Sequence, residues 1–366
     1  MTTLQVLLHV AAQRDYKLHS LDFSTAFLQG GLHEEIWLRR PPGFTGPFPR
    51  GTQWSLRRPV YGLRQAPREW HDTLRTTLAT LGFAPSTAEP SLFLRTDTTL
   101  PPFYVLVYVD DLVFATADTE ALAHVKSELQ KRHTCTDLGE VTSYIGLRIT
   151  RDRAQHTITL TKSHMVHQVL QRFGFTYSSP QSTPLSTGHS LSPPPSDKSV
   201  EPSGLYPELV GCLITSGMGL VFGGRDRVVL TGRAHASWVD DLAMQRSSSC
   251  EAEIYAGAMA AQELRWLTYL LTNLREAPRS PPVLYVDNKA MLALCQEHRL
   301  EHRTTHITLR YFLTRELQQC GQRRLAYVAT RANTADIFTK ALPPGDHQRF
   351  STVLGLVPTL LHLLTA

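Results

Sequence analysis

No stretch of this chain is both long and apolar enough to read as a membrane span. Val353–Leu364 is short and broken by Pro358, and Leu4–Ala12 lacks the basic leader of a signal peptide and fits an amphipathic helix instead. Cysteine is scarce. The five residues, Cys135, Cys212, Cys250, Cys295 and Cys320, have no paired spacing, which excludes a disulfide scaffold and suits reduced thiols in an intracellular protein. No repeat or heptad is visible. Gly223-Gly224-Arg225 is not followed by Gly-Lys-Ser/Thr, so a phosphate loop is excluded, and no nucleophile-elbow spacing supports a hydrolase triad. The net charge of +5 is too mild to indicate a nucleic-acid partner by itself.

Acid is missing from one long internal stretch. Between Ile36 and Arg68 there is no Asp or Glu, yet there are seven arginines: Arg39, Arg40, Arg50, Arg57, Arg58, Arg64 and Arg68. Trp37, Phe44, Phe48, Trp54 and Tyr61 lie among them. Charge of one sign with interleaved rings suits a phosphate backbone and stacked bases, and guanidinium grips phosphate with a fork. A solvated basic loop is the plainer alternative.

The sharpest feature present is Phe103–Phe114, where Asp110 and Asp111 interrupt an apolar run of β-branched and aromatic residues. The run reads as two strands joined at the Asp pair. Ionised carboxylates there are costly unless they face a cation, although Asp also suits plain turns. Asp22 ends a strand-like alternation of its own. Carboxylates converging from separate strands are what two-metal phosphoryl transfer needs, and Mg²⁺ is the natural ion.

The residues then carry a resemblance. Leu21-Asp22-Phe23-Ser24-Thr25-Ala26-Phe27-Leu28-Gln29-Gly30, Arg40-Pro41-Pro42-Gly43-Phe44, Tyr61-Gly62-Leu63-Arg64-Gln65-Ala66-Pro67-Arg68, Tyr108-Val109-Asp110-Asp111, and Asp137-Leu138-Gly139-Glu140 with Tyr144-Ile145-Gly146-Leu147 occur in that order. This is similar to the reverse transcriptase of copia-type LTR retrotransposons, an RNA-directed DNA polymerase. The resemblance implies Asp22, Asp110 and Asp111 as catalytic ligands of two Mg²⁺ ions. It implies Phe27 beneath the nucleotide sugar, Gln65 against the incoming nucleotide, and Ile145, Gly146 and Leu147 as a primer grip. Arg39, Arg40, Arg57, Arg58, Arg64 and Arg68 would hold nucleic acid. The implied partners are an RNA template, a DNA primer and dNTPs. The implied location is a cytoplasmic virus-like particle or the nucleus.

A second resemblance follows, to the RNase H domain of the same elements. It rests on Leu230-Thr231-Gly232, Trp238, Ser248-Ser249-Cys250-Glu251-Ala252-Glu253, Val286-Asp287-Asn288, His302-Arg303-Thr304 with His306-Ile307, and Asn333–Lys340. Glu251, Asp287 and Asp336 match three carboxylates of its metal cluster, and His235 fills the slot of the fourth. Imidazole prefers softer metals than Mg²⁺, so little RNase H activity is expected. His235 and Glu251 are sixteen residues apart, whereas two intervening strands with their turns need roughly twenty. Joins across deletions, or across introns wrongly assigned in a gene model, are expected near residues 213 and 247. Cys295, His298, His302 and His306 have helix spacing for zinc, but part of that run belongs to the RNase H match.

The expected fold is α+β. Residues 1–177 would form a reverse-transcriptase palm and thumb without the N-terminal fingers. The palm would be an antiparallel sheet with helices on one face, residues 63–81 and 118–133 being the candidates. Residues 178–204, rich in Pro and Ser, would be a linker, and residues 205–366 a truncated RNase H-like α/β domain. The alternative to an active polymerase is an inactive relic that only binds nucleic acid.

Overall fold

The computed structural model describes residues 1–39, 42–49, 51–177, 181–184, 187, 218–224, 228–236, 249–296, 316 and 318–358. They fall into two units, Met1–Val141 with Asn273–Arg275, and Thr142–Thr272 with Glu276–Ala366. No described helix is long and apolar enough to cross a membrane.

The first unit runs α1 (Thr2–Gln13), β1 (Lys17–Phe23), β2 (Trp37–Leu38), β3 (Trp54–Ser55), α2 (Ala66–Thr80), β4 (Phe83–Pro85), β5 (Leu92–Arg95), β6 (Phe103–Tyr108), β7 (Asp111–Thr116), α3 (Thr119–Arg132) and β8 (Cys135–Glu140). Six strands form one sheet in the order β4-β5-β6-β7-β1-β8. Every pairing in it is antiparallel. Strands β6 and β7 are buried on both faces, which explains why their sequence is nearly continuous apolar residues rather than an alternation.

One face carries Leu21, Phe23, Val105, Val107, Leu112 and Phe114. It packs under Trp70, Leu74 and Leu78 of α2 and Leu122, Val125 and Leu129 of α3. The helical spacings of i+4 and i+3/i+4 make those stripes. Pro67 opens α2, and the Asp118 side chain accepts a hydrogen bond from Ala121 N at 2.9 Å to cap α3. Helix α1 contributes nothing to that cluster. It lies against β7, whose Val113 and Ala115 are buried on the opposite face. Helices therefore cover both faces, a correction to the one-sided arrangement expected. The apolar stripe of α1 needs a partner, and strands buried on both faces leave it one.

Asp137 has a structural task. Lys126 of α3 is buried, and its Nζ donates to Asp137 Oδ1 at 2.6 Å and lies 2.7 Å from His19 Nδ1. A lysine inside a fold must be paired. Burial works against the Asp137 carboxylate, but hydrogen bonds from Lys126 and Gly139 outweigh it and hold its pKa below the usual value. Burial, then Lys126, push the His19 pKa down, and burial does the same to His133. A depressed folded pKa means the stabilising form is the deprotonated one. For the two histidines this stability is complete above the unfolded value of about 6.5 and is lost as pH falls through the folded pKa. The thermal midpoint should therefore drop as pH is lowered from 7 to 5, and His19→Gln should flatten that slope. Asp137→Asn, which strands the buried ammonium, should cost about 2 kcal/mol in denaturant titration.

The second unit runs β9 (Ser143–Tyr144), β10 (Leu147–Asp152), β11 (Thr157–Thr161), α4 (Ser163–Arg172), β12 (Met218–Gly223), β13 (Thr231–Ala234), α5 (Ser249–Asn273), β14 (Val283–Val286), α6 (Lys289–Gln296), β15 (Arg324–Tyr327), α7 (Pro344–Val353) and β16 (Leu356–Pro358). An antiparallel sheet has the order β16-β12-β11-β10-β9, and a parallel one the order β13-β14-β15. The units part at Val141, and β12, expected beyond the linker, pairs with β11. Such long-range strand pairing leaves no trace in local composition. The expected linker, residues 178–204, lies almost wholly outside the described residues. In the parallel sheet, Ala234, Leu284 and Val286 pack against Ile254, Ala261 and Leu264 of α5 and Met291 and Cys295 of α6.

Candidate active site

Three acidic residues meet where β1 ends and β6 turns into β7. Asp22 is the register partner of Asp111, so the two Cα atoms face each other across neighbouring strands. Directly opposed residues of an antiparallel pair present their side chains on one face. Asp110 occupies the turn itself, and its carbonyl accepts a hydrogen bond from Phe23 N at 2.8 Å. That bond ties the residue after Asp22 to the turn. Burial, then the charges of Asp110 and Asp22, raise the Asp111 pKa. A carboxylate with two negative neighbours is arranged for a cation.

The turn is tight and strained. Tyr108 pairs with Asp111, leaving only Val109 and Asp110 to reverse the chain. Val109 sits at φ +57°, in the left-handed region that a β-branched side chain resists. Its carbonyl accepts a hydrogen bond from Trp70 Nε1 at 2.6 Å. Trp70 is 1% exposed and packs edge-on against Phe23 with ring centroids 4.9 Å apart. One buried indole thus touches both the turn and the strand that carries Asp22.

The segment after Asp22 is bound equally closely. Gln29 Nε2 donates to Ser24 O and Thr134 O at 2.8 and 2.9 Å, and Gln29 Oε1 accepts from Thr134 N at 2.8 Å. A Cβ on Gly30 would sit 3.3 Å from Trp70 N, so glycine there lets the loop approach α2. Phe27 is half-buried, its ring 4.5 Å from that of exposed Tyr61. Gln65, just before α2, donates to Glu34 Oε2 at 3.3 Å. Arg39, Arg57, Arg58, Arg64 and Arg68 are exposed, and Arg58 also donates to Leu28 O at 2.9 Å. Arg40 and Arg50 lie outside the described residues. Phe44, Phe48 and Trp54 form a ring cluster of their own in this stretch.

In the second unit, Ile145 and Gly146 make a two-residue turn between β9 and β10, with Tyr144 paired to Leu147. Both turn residues have positive φ, at 49° and 70°, as this hairpin type demands. A second polar cluster stands at the carboxyl ends of the parallel strands, where open α/β sheets place their sites. His235 follows β13 and Asp287 follows β14. Asp336 follows β15 on a short 3₁₀ turn, Thr334–Phe338. The buried Asn333 secures that turn by donating to Ala234 O at 3.0 Å. His235 Nδ1 lies 3.2 Å from Glu253 Oε1 and 3.5 Å from Asp287 Oδ1, and its Nε2 lies 3.7 Å from Asp336 Oδ1. Burial, partly offset by a hydrogen bond from Ala236 N and by His235, raises the Glu253 pKa.

The family described as reverse transcriptase (RNA-dependent DNA polymerase) matches residues 1–187, just over half of the chain. The chain belongs to this reverse transcriptase family. Two transposon polyproteins align with 97% of this reverse transcriptase chain. The retrovirus-related Pol polyprotein from transposon RE2 of Arabidopsis thaliana is 28% identical over 422 positions, and that from transposon TNT 1-94 of Nicotiana tabacum is 25% identical over 427. With them it belongs among copia-type elements. The chain covers 29% and 32% of those two proteins, so it spans about a third of their length. Among solved structures, the foamy viral protease-reverse transcriptase in complex with RNA/DNA hybrid matches 89% of this chain and 45% of that one, with 13% identity and a TM-score of 0.43.

Several residues of this reverse transcriptase carry no distinctive mark in the sequence. Glu253 is the described carboxylate of α5 beside His235; the Glu251 side chain lies outside the described residues. The α5 stripe Glu253–Gly257–Ala261–Leu264, spaced i+4, i+4, i+3 toward the sheet, carried the signal. Trp70 reads from sequence as an ordinary core aromatic, and Gln29 as a loop amide. His298, His302 and His306 lie outside the described residues. Cys295 is buried in the core of the parallel sheet.

Proposed function

We propose that this chain is the catalytic core of an RNA-directed DNA polymerase that extends a DNA primer on an RNA template with dNTPs. The observation that carries this reading is the pairing of Asp22 with Asp111, tied to the Asp110 turn by the Phe23 N–Asp110 O bond. In this reading the six-stranded sheet is the palm. The donor set fits Mg²⁺: three carboxylates and no nitrogen, none of them fully buried, so water and phosphate can complete the shell. Asp22, Asp110 and Asp111 would hold two such ions. Bound there, the ions would activate the primer hydroxyl and neutralise charge on the transferred phosphate.

The chain's own residues do the positioning. Trp70 holds the Asp110 turn in place. The ring pair of Phe27 and Tyr61 would form the floor under the nucleotide sugar, where a 2′-hydroxyl would meet the Phe27 edge. Gln65, at the start of α2, would exchange its Glu34 bond for the nucleotide. The exposed arginines and their neighbouring rings would hold template and primer by phosphate contact and stacking. Ile145, Gly146 and Leu147 would grip the primer end through the backbone of their turn. The test is primer extension on an RNA template with Mg²⁺, comparing this chain with Asp110→Asn. Salt-sensitive binding without extension in the unaltered chain would identify an inactive relic instead.

The parallel sheet with α5 supports an RNase H-like reading of the C-terminal region that has lost its hydrolytic chemistry. Both polyprotein alignments are longer than the 366 residues of this chain, so the relatives carry internal segments without a counterpart here. Among the described residues no strand lies between β13 and α5. The set His235, Glu253, Asp287 and Asp336 does not fit two Mg²⁺ ions, because a nitrogen ligand stands where a fourth oxygen is needed. No Mg²⁺-dependent cleavage of the RNA strand in an end-labelled RNA/DNA hybrid is expected. A ladder of RNA products that disappears in Asp287→Asn would refute this.

A further inference from the structure

We propose that His235, Asp287, Asp336 and Glu253 bind one transition-metal ion of the zinc class in preference to Mg²⁺. This inference is independent of the polymerase reading. His235, Asp287 and Asp336 each offer a ligand atom, and these atoms all lie within 4.8 Å of one another. Glu253 Oε1 adds a fourth, 3.2 Å from His235 Nδ1. Zinc bonds of about 2.0–2.1 Å in a tetrahedron set neighbouring ligands about 3.3–3.4 Å apart. The separations of 3.2 and 3.5 Å from His235 Nδ1 to Glu253 and Asp287 bracket that edge.

Hydrogen bonding supplies a second, independent observation. Asp336 is only 5% exposed. Its Oδ2 is held by Lys340 Nζ at 2.8 Å, yet its Oδ1, which faces His235, has no hydrogen-bond partner among the described residues. Glu253 is 7% exposed, and its Oε2 has no such partner either. His235 Nδ1 is likewise unsatisfied, although two carboxylate oxygens lie within 3.5 Å of it. Buried polar atoms are rarely left so, and three of them within one cluster call for a cation. A mixed nitrogen and oxygen set favours zinc or cobalt over magnesium.

Cobalt(II), whose visible absorption reports its ligands, is the probe for the full chain. The expected result is one equivalent bound with a visible band, displaced by Zn²⁺ and unmoved by a large excess of Mg²⁺. Asp110→Asn should keep the band, which separates this site from the Asp22–Asp110–Asp111 group. His302→Gln should keep it, which separates it from the run Cys295, His298, His302 and His306. His235→Gln and Asp287→Asn should each weaken binding about tenfold or more. Circular dichroism confirms that each variant is folded. X-ray absorption of the zinc-loaded unaltered chain, showing imidazole and oxygen ligands without sulfur, tests the site without any substitution. No cobalt binding, displacement by Mg²⁺, or a band lost in Asp110→Asn or His302→Gln would overturn the proposal. Binding unchanged in folded His235→Gln would show that His235 is only an ion-pair partner of the carboxylates, with the same consequence.

Discussion

Asp110→Asn is expected to cut primer extension by about 10³-fold or more while binding of primer-template changes little. Metal-assisted stabilisation of a transferring phosphate is worth several kcal/mol, and each 1.36 kcal/mol is tenfold in rate. Asn keeps the shape of the side chain and can still form a turn. What it removes is the negative charge that, in the proposed reading, would recruit the ion. The backbone bond from Phe23 N to Asp110 O is untouched by the change, so the turn should stay where it is.

The same substitution predicts an opposite movement in stability. Asp110 is the nearer cause, after burial, of the raised Asp111 pKa, with Asp22 behind it. Removing one of three mutually repelling charges relieves the metal-free protein. Its thermal midpoint without Mg²⁺ should stay level or rise, and the increase that Mg²⁺ gives the unaltered chain should shrink. A variant that lost activity because it unfolded would show a lowered midpoint. Full extension by Asp110→Asn would remove the metal role from this residue altogether.

Much of this site is legible in the amino-acid order itself, because it depends on local signals. The strand–turn–strand around Asp110 announces itself as β-branched and aromatic residues on either side of two acids. Helix α3 announces itself through Asp118 and its apolar stripe, and α2 through Pro67 and Trp70, Leu74 and Leu78. Other features depend on which elements come together, and sequence spacing is silent there. That β12 would join β11 rather than a separate C-terminal domain follows from an open strand edge seeking a partner. Helix α1 covers the second face of the sheet for a similar reason. Glu253 sits on α5, and only the direction of the sheet brings its carboxylate to His235. Asp137 matched a motif, but its bond to buried Lys126 spans two elements and appears only when α3 packs on β8.

Trp70 gives the second large effect. Trp70→Ala should destabilise the first unit by about 3–5 kcal/mol, as expected for emptying a fully buried aromatic site. That result alone would speak only of the core. Trp70→Phe is more telling, since it keeps a ring against Phe23 and removes the N–H that Val109 O accepts. Leaving that carbonyl unpaired should cost about 1–2 kcal/mol. Val109 at positive φ is held against its own preference, and without the indole the turn can relax and carry Asp110 with it. A shift of about 1 Å at a catalytic group can cost 10²-fold in rate. Primer-extension kcat should therefore fall about tenfold or more in Trp70→Phe, with the KM for primer-template nearly constant. Leu78→Ala is the control, because Leu78 is equally buried on the same helix two turns further on. It should lose at least as much stability, about 2–5 kcal/mol, yet keep kcat at temperatures where it is folded. Equal kcat in Trp70→Phe and Leu78→Ala would reduce Trp70 to a packing residue. A kcat loss confined to Trp70→Phe would make it the positioning residue of the Asp110 turn.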